Sequence, residues 1–202
     1  MSEPSYRQSL INYIREQAKP PDKFSHQPRL FALACQLAEA QPFDEEVVFA
    51  AVWLHDLGVF VGHRPEEPVA LASWDHTAYA MRKSPALLRR FGFPAEKIPA
   101  VVEAIRTHQV AFRPTTFEGA LIRDADILEQ LGAVGILRLV SKVGRDTRYV
   151  RIGDALRKLW QDLEELSAQL QLASARRLAP PRVATMRVFL ESVVAEAARI
   201  EW

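Results

Sequence analysis

The chain has 202 residues, 49% hydrophobic and 25% charged, which suits one globular domain whose core needs neither disulfides nor a structural metal. Lys plus Arg number 26 against 25 Asp plus Glu, and the net charge of +1 excludes the uniformly basic footprint of a duplex-DNA binder. The one cysteine, Cys35, permits no intramolecular disulfide and no Cys-rich zinc site; its apolar neighbours Leu33, Ala34, Leu37 and Ala38 predict a buried free thiol.

The pattern along the chain is helical. Tyr6, Leu10, Tyr13, Ile14 and Gln17 fall three and four apart and predict a first amphipathic helix. Residues 25–40 predict a second, with Leu30, Leu33, Ala34, Leu37 and Ala38 on one face. Asp44, followed by Glu45 and Glu46, opens a third at the positive end of its dipole. Its run Val47–Leu57 is almost wholly apolar, the mark of a central buried helix, and Gly58 is placed to stop it. Residues 59–73, carrying Pro65 and Pro68, read as a loop.

A helix resumes near Asp75, breaks at Ser84-Pro85, where a cap precedes Pro at a first helical position, and ends at Gly92. Residues 95–108 and 116–131 are further helices, the latter opened by Thr115 or Thr116, and 133–143 and 154–173 follow. Pro180-Pro181 restarts a last helix running to about Ala197. No segment alternates with period two for long enough to need a sheet. The predicted fold is therefore an all-α bundle, a single domain over 1–202. Its motif-bearing body covers about 20–145, and residues 150–202 form C-terminal helices packed on that body. No apolar stretch reaches the roughly 18 residues of a membrane span, and the polar start is unlike a signal peptide, so a cytoplasmic protein is expected.

Five histidines are present: His26, His55, His63, His76 and His108. His55 and Asp56 stand together at the end of the most hydrophobic helix, where a buried ionisable pair is costly unless matched by a partner charge or a cation. Two readings stay open for the pair alone: ligands to a metal, or an Asp56 helix cap beside a neutral His55. His26 lies near the start of the preceding helix. A short turn at Gln41-Pro42 makes the two helices antiparallel and returns His55 and Asp56 beside it. Asp124 and Asp126 lie inside another apolar helix and again demand compensation. Imidazole and carboxylate ligands without thiolate suit Mn, Fe, Co, Ni, Zn or Mg.

In the order and spacing of these residues the chain resembles the HD-domain superfamily of metal-dependent phosphohydrolases. That family carries a His on one helix, a His-Asp pair on the next and a distant Asp on a later one. His26, His55 with Asp56, and a member of the Asp124-Ala125-Asp126 string match it. The string Ala125-Asp126-Ile127-Leu128 fits the family pattern, so the resemblance assigns the ligand to Asp126, with Asp124 as the fallback. His76 and His108 match the extra histidines of two-metal members. The resemblance thus implies a first site of His26, His55, Asp56 and Asp126 and a second of Asp56, His76 and His108, with Asp56 bridging. In a one-metal enzyme His76 and His108 would instead contact substrate or cap helices.

What the resemblance implies is hydrolysis of a phosphoester or phosphoanhydride by metal-activated water, with one or two divalent ions as cofactor and His55 and Asp56 catalytic. The implied partner is a small phosphorylated, nucleotide-like substrate, with the oligomeric state left open. Arg29, one turn after His26, Arg106 and Arg123 are candidate phosphate contacts. Two other functions fit the same residues: a di-iron oxygenase cleaving a C–C or C–P bond, and a non-catalytic ligand-sensing module.

Overall fold

The computed structural model describes residues 4–109 and 111–197 of the chain. Among the described residues the regular elements are helical, with one isolated bridge between Val61 and Arg64. The all-α expectation holds. In chain order the α-helices are α1 (Tyr6–Gln17), α2 (His26–Ala38), α3 (Glu45–Leu54), α4 (Pro68–Ala72), α5 (His76–Arg90), α6 (Ile98–Thr107), α7 (Phe117–Gln130), α8 (Gly132–Val140), α9 (Ile152–Glu165) and α10 (Ala173–Glu196). They form two compact units, Met1–Arg123 and Asp124–Trp202, and the division falls inside α7. No helix among the described residues is long and apolar enough to cross a membrane.

The first unit is built around α3. Asp44 caps it, its Oδ1 accepting from the amides of Glu46 and Val47 at 3.1 and 3.2 Å. Lys97 ties the same turn together through Asp44 at 2.8 Å and Glu46 at 2.6 Å. Every residue from Val47 to Leu54 is buried, and α1, α2, α5 and α6 all pack on the helix. Each large apolar side chain buried there contributes about 1.5–3 kcal/mol. The antiparallel pairing of α2 with α3 is as expected, with the His26 and His55 rings 5.4 Å apart.

Three local expectations are corrected in this unit. Helix α3 ends at Leu54, so His55 is its C-cap and Asp56, at φ −95° and ψ 11°, has left the helix and leads a 3-10 turn, Leu57–Val59. Helix α5 runs unbroken through Pro85. Its buried Ala80, Ser84 and Leu88 lie on one face, and Ser84 Oγ donates to the Ala80 carbonyl at 2.7 Å. Burial of that face outweighs the lost helical bond, a cost of about 3 kcal/mol. Cys35 is half-buried rather than buried, and burial followed by Glu45 pushes its thiol up.

The loop at 59–73 also contains α4, whose N-cap Glu67 accepts from Val69 and Ala70 at 2.9 and 2.7 Å. Thr116 opens α7, its Oγ1 accepting from Gly119 at 3.1 Å, while Glu118 accepts from the Asp44 amide at 3.0 Å.

In the second unit α8, α9 and α10 pack on one another. The predicted helix over 154–173 is two elements: α9 stops at Glu165, and a 3-10 turn, Ser167–Gln169, precedes α10. Asp124 fixes that junction, its Oδ2 accepting from the amides of Gln171 and Leu172 at 2.8 and 2.7 Å. Helix α10 then continues unbroken through Pro180-Pro181. Buried Ala175, Ala179, Met186 and Leu190 hold it, as does Arg182, which donates to the Leu128 carbonyl at 2.7 Å. Gly132, at φ +74°, starts α8 where a Cβ would meet Arg182 Cβ at 3.1 Å.

Candidate metal centre

Four elements of the first unit converge on Asp56. Its Oδ2 faces His55 Nε2 at 3.5 Å and His26 Nε2 at 3.9 Å, while its Oδ1 faces His76 Nε2 at 3.8 Å. The His108 ring lies 5.0 Å from that of His55 and 6.0 Å from that of His76. Two three-residue sets result, His26–His55–Asp56 and Asp56–His76–His108, and the donor atoms within each lie no more than 4.8 Å apart. These separations are long for hydrogen bonds. They suit atoms that each reach about 2.0–2.2 Å to a shared cation.

The ring orientations support the same use. His55 Nδ1 donates to the Val52 carbonyl at 2.8 Å and His108 Nδ1 to the Ile105 carbonyl at 2.6 Å. A carbonyl only accepts, so the proton sits on Nδ1 and each Nε2 presents its lone pair inward, the arrangement of a metal-ligating histidine. Burial works to raise the Asp56 carboxyl, but His55, His26, His76 and His108 together outweigh it and hold the group well below the usual carboxylate range. His26, His55 and His108 are buried, whereas the side chains of Asp56 and His76 are 21% and 30% exposed, so the cluster opens to solvent on their side. This donor set, imidazole and carboxylate without thiolate, fits a divalent metal.

The remaining candidates are placed as follows. Arg29 is half-buried on α2, one turn after His26. Arg106 is committed to Glu103 by two bonds of 2.8 and 2.7 Å, and Arg123 is buried. His63 sits between Tyr79 Oη at 2.9 Å and Gln17 Oε1 at 2.8 Å. Asp124 and Asp126 belong to the second unit. There Asp124 accepts from the amides of Gln171 and Leu172 just ahead of α10, and Asp126 accepts from Gln130 Nε2 at 3.1 Å.

Arg106, then the Thr115 hydroxyl, hold Glu103 down at about 2 from an ordinary 4.5. A carboxyl lowered by folding stabilises above its ordinary value and loses that stabilisation as pH falls through the lowered one. Glu103→Gln should therefore lower Tm at pH 7 and much less at pH 2, with an effect within about 1 kcal/mol because the pair is partly exposed. Thermal melts across that range check it.

Gly58 does more than the sequence suggested. A Cβ there would lie 2.6 Å from the His76 carbonyl and 2.8 Å from its Cα, so the turn after Asp56 packs directly on the backbone of His76. Trp74 Nε1 donates to the Gly58 carbonyl at 2.8 Å and closes the same contact. Gly58→Ala should cost about 1–3 kcal/mol of stability, read by denaturant melts, because backbone must shift to admit the methyl.

A family model, HD domain, matches residues 24–131. Several solved structures share the fold along nearly the whole chain. Bacillus subtilis YpgQ is 23% identical, with 97% of each chain covered and a TM-score of 0.73. It has also been solved in complex with ADP, at 22% identity and a TM-score of 0.71 over 95% of this chain and 94% of that one. A "predicted HD superfamily hydrolase" from an uncultured Thermotogales bacterium is 25% identical, covers 95% of this chain and 93% of its own, and has a TM-score of 0.65. No curated protein matches the chain. The family match takes in more than half of the 202 residues and contains all five side chains of the cluster, so the chain belongs to the HD domain family.

Proposed function

We propose that the protein is a metal-dependent phosphohydrolase acting on a nucleotide or similar small phosphorylated metabolite. The observation that carries the reading is the two-sided placement of Asp56, one carboxylate oxygen toward His26 and His55 and the other toward His76. A carboxylate so placed suits a bridge between two divalent cations, with His26 and His55 on one and His76 and His108 on the other. Divalent cations held there supply Lewis acidity and a water that ionises near neutral pH. Asp56, the carboxylate shared by the two sets, would hold the cations and orient that water. His55 and His108, locked in one tautomer, hold their Nε2 atoms still while this happens.

The nucleotide class is favoured by the complex of YpgQ with ADP, a protein of the same fold. Arg29 is proposed as the phosphate contact, since Arg106 is held by Glu103 and Arg123 is buried.

The test is phosphate or pyrophosphate release from a panel of nucleotides, dinucleotides and sugar phosphates by protein loaded with Mn, Co or Mg. Turnover abolished by a chelator and restored by metal supports the reading. Iron-dependent oxygen uptake without phosphate release would replace it with the oxygenase, and ligand binding without turnover would replace it with a sensor. Arg29→Ala should raise KM about 10–100-fold, the loss of a charged hydrogen bond, with metal content unchanged.

A further inference from the structure

We infer that Thr77 and Gln109 are positioning residues for the second cation: one side-chain hydrogen bond fixes the separation of His76 from His108. The inference rests on the two-cation reading above and goes beyond its ligands.

His76 is the first residue of α5 and His108 follows directly on the last residue of α6. Both proposed ligands therefore stand at helix ends, where intrahelical hydrogen bonds run out and the backbone frays. The neighbouring residue at each end carries the restraint. Gln109 Nε2 donates to Thr77 Oγ1, a bond between positions one residue beyond each histidine. Thr77 is buried and Gln109 half-buried, so water competes little for that bond. Around it the two ends are already braced: Asp75 caps α5 through the Ala78 amide at 2.9 Å, and Thr107 Oγ1 donates to the Glu103 carbonyl at 2.9 Å.

Each brace holds its own helix. The Thr77–Gln109 bond joins one helix to the other and so governs how far His76 Nε2 stands from His108 and Asp56. Sequence gives no sign of it, since Thr and Gln next to histidines carry no motif. The first cation's residues, His26, His55 and Asp56, lie on α2, at the end of α3 and on the turn after it, and neither Thr77 nor Gln109 adjoins one of them in the chain.

The test uses Co2+ alone as the probe, titrated into metal-free protein and followed by visible absorption and by bound equivalents. Wild-type protein should take up two. In Thr77→Val, which keeps the shape and loses the hydroxyl, and in Gln109→Leu, the first cation should bind as in wild type. The second should weaken about tenfold, the low end of the range for partners one layer outside a metal. Thr77→Ser should restore wild-type affinity. The double variant should be no worse than either single one, because both remove the same bond. An unchanged second affinity in either variant overturns the inference, and so does equal weakening of both cations accompanied by a lower Tm. Wild-type protein that binds a single Co2+ overturns the two-cation reading itself and this inference with it, a result distinguishable because it needs no variant.

Discussion

Exchange of His55 and Asp56 together for alanine should leave the protein without tightly bound divalent metal. Asp56 faces both histidine sets, and its Oδ2 lies 3.5 Å from the Nε2 of the buried His55. Removing the pair takes one donor from the proposed second cation and two from the first. Turnover should fall by about 10³-fold or more, because the several kcal/mol of charge stabilisation and water activation that a metal supplies is lost at 1.36 kcal/mol per factor of ten. Elemental analysis after dialysis measures the first effect and phosphate release the second. Full metal content in the double variant would sink the site.

The His26–His55–Asp56 part of the cluster was legible in the sequence as a placement, whereas His76 and His108 entered only through the resemblance to the HD-domain superfamily. An ionisable pair at the end of an apolar helix, a histidine at the start of the one before, and a tight turn between them leave little freedom, and His26 and His55 do meet. What the sequence could not give depends on tertiary contact. Proline at 85 and at 180 and 181 reads as a break, yet α5 and α10 continue through because each buries a face whose packing offsets the missing bonds. Asp124 and Asp126 project to opposite sides of α7, and helical phase alone could not say which side does what. The answer for Asp124 lies in two amides of residues 171 and 172, far along the chain. Arg106 is different: Glu103 sits three residues before it, a spacing that places the two side by side on a helix, and that signal was available.

His76 and His108 decide between one cation and two. Replacing either with alanine removes an imidazole from the Asp56–His76–His108 set while His26, His55 and Asp56 keep theirs. Loss of about one metal equivalent is the expected result. A two-cation hydrolysis uses both ions to hold the attacking and leaving oxygens, so kcat should drop along with kcat/KM, a transition-state loss rather than a binding loss. The alternative gives a different signature. Side chains that only contact substrate would leave metal content intact, and their removal would raise KM with kcat nearly unchanged. The two histidines should also differ in degree. His108 is buried and oriented by the Ile105 carbonyl, so its loss opens a cavity and should lower Tm as well. His76, 30% exposed at the first residue of α5, should lose its metal with little change in Tm. A His76→Ala protein that keeps two equivalents would return the site to a single cation held by His26, His55 and Asp56.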